Sequence, residues 1–187
     1  LTPPLRTVAA LAVVLVLLAC TKTEPGHPAA APTTSRAPVP DLDIEKYLDA
    51  PCAILTREQQ AELGTFRAVM PVRKPFGPSC EYLAPNTARD PSYDITFVGR
   101  GATIGEMFSR LKDAGMPVYQ ETWIAGRRAV VWDNVDGKSA CVAGVATSEE
   151  NGVSVVVTTA SLVENRRGDP CETARRLAAT VLANLER

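Results

Sequence analysis

The sequence predicts an α+β domain: an antiparallel β-sheet, largely a meander, packed with two or three helices and stapled by disulfides. Three observations carry this. The back half alternates strand-like runs with hairpin signals at Asp136-Gly137 and Asn151-Gly152. Three segments open with helix caps, at Thr56, Thr103 and Asp169. Four cysteines, Cys52, Cys80, Cys141 and Cys171, are spread through these elements, with a fifth, Cys20, ahead of them.

The chain divides into residues 1–19, an export signal; 20–41, a tether; and 42–187, one domain large enough to bury a core. Its 187 residues carry a formal net charge of -1. That balance speaks against a nucleic-acid surface, which needs a basic excess or patch.

Arg6 precedes an apolar run from Val8 to Ala19 that stops at Cys20. The run is shorter than the roughly 20 residues a membrane helix needs, and its order is that of a signal peptide. Leu1 reads as an alternative start codon written literally or as a truncated start. The ending Leu17-Leu18-Ala19-Cys20 resembles the bacterial lipobox, although Leu18 is bulkier than is usual there. The resemblance implies cleavage before Cys20 and acylation of its sulfur, with membrane lipid as the first partner. Ordinary secretion, an uncleaved anchor, and a buried cytoplasmic helix are the alternatives. Residues 21–40, rich in Pro, Ala and Thr, cannot build a core and read as a linker holding the sole histidine, His27.

Order is expected from about Leu42. Ile44, Tyr47 and Leu48 fall at helical spacing and Pro51 ends that turn. Thr56 caps a helix over 57–63, with Gln59 completing a capping box and Gly64 stopping it. Prolines 71, 75 and 78 leave room for a short edge strand near Phe66–Met70. Cys80–Leu83 is the first secure strand. Tyr93, Ile95 and Phe97 alternate with Asp94 and Thr96, as on a sheet with one wet face.

Thr103 and Glu106 box the next helix, whose stripe is Ile104, Met107, Phe108 and Leu111, and Gly115 ends it. Strands are then expected at 119–124, 128–132, 139–147 and 153–159, with a turn at Gly126-Arg127. The last helix has Asp169 at its cap, Pro170 in its first turn and Glu172 three residues after the cap. Leu177, Ala178, Val181, Leu182 and Leu185 form its buried stripe, leaving Arg175 and Arg176 as solvated surface.

Setting Cys20 aside leaves an even number of cysteines in an exported domain, which reads as two disulfides. Four cysteines allow three pairings. The layout favours Cys52–Cys171, pinning both ends of the domain, with Cys80–Cys141 clipping neighbouring strands. A metal site is not expected, because spacings of 28, 61 and 30 residues lack the close pairs that metals use. No cofactor is expected either.

The same cysteines carry a family resemblance. Asp49-Ala50-Pro51-Cys52-Ala53-Ile54-Leu55-Thr56 is similar to the opening DPCxLLT-like motif of the small actinobacterial lipoproteins of the DUF3558 family, with Ala50 interrupting the DPC. Cys80-Glu81-Tyr82 resembles its middle cysteine beside an aromatic position where tryptophan is common. Asp169-Pro170-Cys171-Glu172, followed by Ala174, Leu177 and Ala178, resembles its closing DPCExAxxLA motif. The resemblance implies a lipid-anchored, extracytoplasmic α+β domain of the cell envelope and no particular activity. The layout is also similar to the Mog1/PsbP-like group, an analogy of fold that carries no function.

Chemistry is thinly represented. The expected domain holds no histidine for a nucleophile–base pair, and none of its serines has a GxSxG setting. Gly99-Arg100-Gly101 lacks the spacing and lysine of a phosphate loop. Glu81, Asp94, Glu121 and Asp133 are candidate acids, read first as solvated carboxylates. Tyr119, Trp123 and Trp132, with Arg127 and Arg128 at a turn, form the candidate binding surface. The expectation is a non-catalytic domain that binds a small ligand or an envelope protein. A structural subunit of an envelope complex is the alternative, and a hydrolase comes last.

Overall fold

A computed structural model describes residues 39–99, 103–159 and 168–187. The expected signal, Cys20, His27 and most of the expected tether lie outside the described residues, as do Arg100 and Gly101. The element order is α1 (Glu45–Leu48), a 3-10 turn (Pro51–Ile54), α2 (Arg57–Leu63), β1 (Ala68–Lys74), β2 (Gly77–Leu83), β3 (Ser92–Val98), α3 (Ile104–Asp113), β4 (Val118–Ile124), β5 (Arg127–Asp133), β6 (Ala140–Ala146), β7 (Gly152–Thr158) and α4 (Pro170–Leu185). The expected α+β class holds.

The strands form one seven-stranded sheet in the order β1-β2-β3-β7-β6-β5-β4. Each described pairing is antiparallel. It is a meander interrupted once, because β7 returns to sit between β3 and β6. Pro71 lies within β1, where an edge position spares it a missing ladder bond. The first strand is therefore longer and later than the expected Phe66–Met70.

One sheet face carries Tyr82, Ile95, Phe97, Val131, Val145, Val153, Val155 and Val157, all buried, and α4 lies against it with Leu177, Val181 and Leu182. This is the main core. On the other face α3 seats Ile104 and Phe108 against Val98 and Val130, with Trp132, Tyr119 and Met107 packed beside them. Close seating needs glycine beneath: a Cβ on Gly152 would come within 2.6 Å of Ile104, and one on Gly144 within 2.9 Å of Trp132. So Gly152 serves packing, and the turn expected at Asn151-Gly152 is a loop over 147–151. The Asp136-Gly137 turn is likewise a longer loop between β5 and β6.

Thr56 and Thr103 both complete capping boxes. Asp169 accepts from the Cys171 and Glu172 amides, with Pro170 in the first turn. Arg175, expected in solvent, donates to the Gln120 side chain on β4 and lies 3.8 Å from the Glu172 carboxylate.

The disulfides are Cys52–Cys80 and Cys141–Cys171. This corrects the expected pairing. Two strands, β3 and β7, separate Cys80 on β2 from Cys141 on β6. At about 4.8 Å per strand that gap is roughly 14 Å, beyond the reach of a disulfide. Each bridge instead ties the sheet to what covers it: the 3-10 turn over β2, and the first turn of α4 over β6.

Candidate functional site

Local geometry first brings α2 and α4 together. The capped start of α2 presents Gln59 to Asn184, a buried residue of α4. Their amides pair reciprocally, Asn184 Nδ2 to Gln59 Oε1 at 2.8 Å and Gln59 Nε2 to Asn184 Oδ1 at 3.2 Å. Asn184 Nδ2 also donates to the Ile54 carbonyl at 2.7 Å. These bonds clamp one end of the helix pair. Beyond the clamp the helices leave a cleft of about 400 Å³.

Leu55, Leu63, Tyr93 and Leu177 give the cleft its apolar lining, and Gln59, Glu62, Thr173, Arg176 and Thr180 its polar one. Tyr93 Oη donates to the Leu63 carbonyl at 3.4 Å. Glu62 and Arg176 are exposed, one on α2 and one on α4, so the two walls carry opposite charge. The volume is at the small end of ligand sites, and polar residues outnumber apolar ones on its walls, whereas ligand sites are usually lined mostly by apolar side chains. None of these residues is singled out by the sequence as part of a binding site. They converge from α2, β3 and α4, and no local spacing announces the meeting.

The aromatic and basic residues that the sequence did single out are only partly gathered. Register places Tyr119 opposite Trp132 and Trp123 opposite Arg128, all on the α3 face of β4 and β5. Trp123 is 56% exposed. Trp132 is half-buried and packed into the small core. Arg128 lies over the Phe108 ring. Tyr119 donates to Glu121, which also pairs with Lys112 at 3.1 Å.

Arg127 is different. The turn is Ala125-Gly126, with φ of 47° and 81°, so Arg127 is the first residue of β5. Its side chain points to the α4 face, is buried, and donates to the carbonyls of Thr147 and Pro40. Burial lowers its pKa from the usual arginine value. Arg127 is thus a strap inside the domain and no part of an exposed basic tip.

The acids also differ from the expected solvated set. Asp94 and Thr96 are buried. Asp94 accepts from Lys74, from Ser79 Oγ at 2.8 Å and from Thr96 Oγ1 at 2.8 Å. Lys74 also pairs with Glu81 at 3.2 Å. Asp133 is buried and accepts from the amides of Val135, Asp136 and Gly137, which organise the loop after β5. Burial would raise its carboxyl pKa, but these backbone donors hold it below the ordinary aspartate value. Among the described residues no group of three or more His, Cys, Asp or Glu side chains is placed to hold a metal.

A family model described as "Protein of unknown function (DUF3558)" matches residues 15–184. No curated protein matches, and no solved structure matches.

Proposed function

The chain belongs to the DUF3558 family, and from that premise we propose a membrane-anchored, extracytoplasmic lipoprotein whose domain binds a small amphipathic ligand in the α2–α4 cleft. The cleft is the observation that carries the binding role: apolar lining from Leu55, Tyr93 and Leu177, with a charge on either wall. The lipobox-like Leu17-Leu18-Ala19-Cys20 supports the anchor, with Cys20 acylated and the domain on the outer side of the cell membrane. Two disulfides support an oxidising compartment, where such bridges persist. Among the described residues no helix is long and apolar enough to cross a membrane.

The role is non-catalytic in this reading. Each acid that could have served a hydrolase has another occupation: Glu81 and Asp94 share Lys74, Glu121 pairs with Lys112, and Asp133 holds a loop. Exposed Val69 and Met70 on edge strand β1 favour a second reading, a subunit docked in an envelope complex.

Anilinonaphthalene sulfonate, an apolar body with an anionic group, is a suitable probe. Saturable binding of one equivalent is expected. Arg176→Ala weakens it about tenfold and Glu62→Gln strengthens it, because the wall charges act with opposite sign. Absence of binding, or binding indifferent to both substitutions, contradicts the cleft as a site.

A further inference from the structure

The tether enters the domain at the tip of the β4–β5 hairpin. The Arg127 guanidinium holds the Pro40 carbonyl and, at 3.0 Å, the Thr147 carbonyl. The Leu42 amide donates to the same Thr147 carbonyl at 2.9 Å. Arg127 is paired with Ile124 across a two-residue turn. The opposite face of that hairpin carries Trp123 and Arg128, one residue further from the turn on each strand. Trp123 is the most exposed aromatic among the described residues.

We propose that this hairpin tip is a membrane foot, with Trp123 seated in the interfacial layer of the bilayer to which the tether leads. The inference rests on the anchoring at Cys20 proposed above. Residues 21–38 separate Cys20 from the strapped segment. A stretch of that length reaches at most about 65 Å even when fully extended. The tip is therefore held at high effective concentration near the surface, where even a weak contact is occupied. An amphipathic indole suits the bilayer interface.

Lipid charge is not the attraction. Asp41 and Glu186 lie close enough to bear on Arg127, and Glu149 and Glu150 occupy the neighbouring loop between β6 and β7. Asp41 and Glu186 offset Arg127, and Glu149 and Glu150 add negative charge at this end of the sheet, so a zwitterionic bilayer suffices and salt has little effect.

Phe76 is a built-in control. It is 45% exposed and lies in the β1–β2 turn at the same end of the sheet, but beside the far edge. The right-handed sheet twist of roughly 20–25° per strand turns that hairpin away from the first.

The test uses the full chain with Trp132→Phe, leaving Trp123 as its one tryptophan, isolated with its native Cys20 and placed in phosphatidylcholine vesicles carrying brominated acyl chains. Blue-shifted Trp123 emission, quenched at least about twofold and unchanged by added salt, is expected. The companion chain, with Trp123→Phe, Trp132→Phe and Phe76→Trp, is expected to stay unquenched. Unquenched Trp123, or equal quenching at both positions, overturns the foot. Intact mass of the same sample reads the lipid on Cys20 separately. If that mass shows no acyl group, the anchoring reading fails. The Cys20 thiol is then coupled to a maleimide lipid, and the same two emissions still decide the foot.

Discussion

Glu81 and Asp94 stand directly opposite each other on β2 and β3, and the ammonium of Lys74 reaches both carboxylates. Two like charges on a cross-strand pair repel, so the lysine makes the pairing tolerable. Burial disfavours its charge, but the hydrogen bonds to Asp94 and Glu81 outweigh this and raise its pKa above the ordinary lysine value of 10.5. The contribution is therefore complete below that value and lost as pH rises through the higher folded value. Lys74→Met should cost about 1–3 kcal/mol at neutral pH, between exposed and buried pairs. Urea titrations at pH 7 and at alkaline pH check this: the variant should lose less stability than wild type in alkali.

Asp133 works with the opposite sign. Its carboxyl pKa lies below the unfolded value of 3.8 because the Gly137, Val135 and Asp136 amides outweigh desolvation. Its stabilisation is present above that value and lost as pH falls through the lower folded value. Asp133→Ala should cost about 2 kcal/mol at pH 7. Acid unfolding followed by circular dichroism should be shallower in the variant.

Tyr82 is fully buried and its hydroxyl has no hydrogen-bond partner among the described residues. Desolvation raises its phenol pKa strongly. Tyr82→Phe removes the orphan group and keeps the ring, which meets Phe66 edge-on. A gain of about 1 kcal/mol and a rise in Tm of roughly 3 °C are expected by calorimetry.

The bridges close segments of 28 and 30 residues. Replacing either pair with alanine should lower stability by about 3–4 kcal/mol if the loss is mainly unfolded-chain entropy. Denaturant midpoints of the two double variants should fall by similar amounts, because the loops are of similar length.

What could be read in advance was local. The boxes at Thr56 and Thr103 lie within four residues of sequence and mark α2 and α3 correctly. Val153, Val155 and Val157 show their common face by alternation alone. The failures are non-local. The Cys80–Cys141 pairing fails because β7 inserts beside β3, an outcome of pairing that no spacing records. Asp94 and Thr96 alternate as a wet face would, yet alternation reports polarity and not exposure; Lys74 and Ser79 supply their partners. Gly126 is the obvious turn residue and makes Arg127 read as its partner in the turn, while Ala125 takes the other left-handed position. Arg127 thereby enters the strand and faces inward. The cleft was invisible for the same reason: Glu62 and Arg176 lie on helices that only the tertiary fold brings together.

Central to the account is a lipid-tethered, doubly stapled domain. Intact mass of the protein from native membranes, with non-reduced peptide mapping, tests it most directly. An acylated Cys20 with Cys52–Cys80 and Cys141–Cys171 links is the predicted result. An unmodified Cys20 with four free thiols would contradict both the anchor and the compartment.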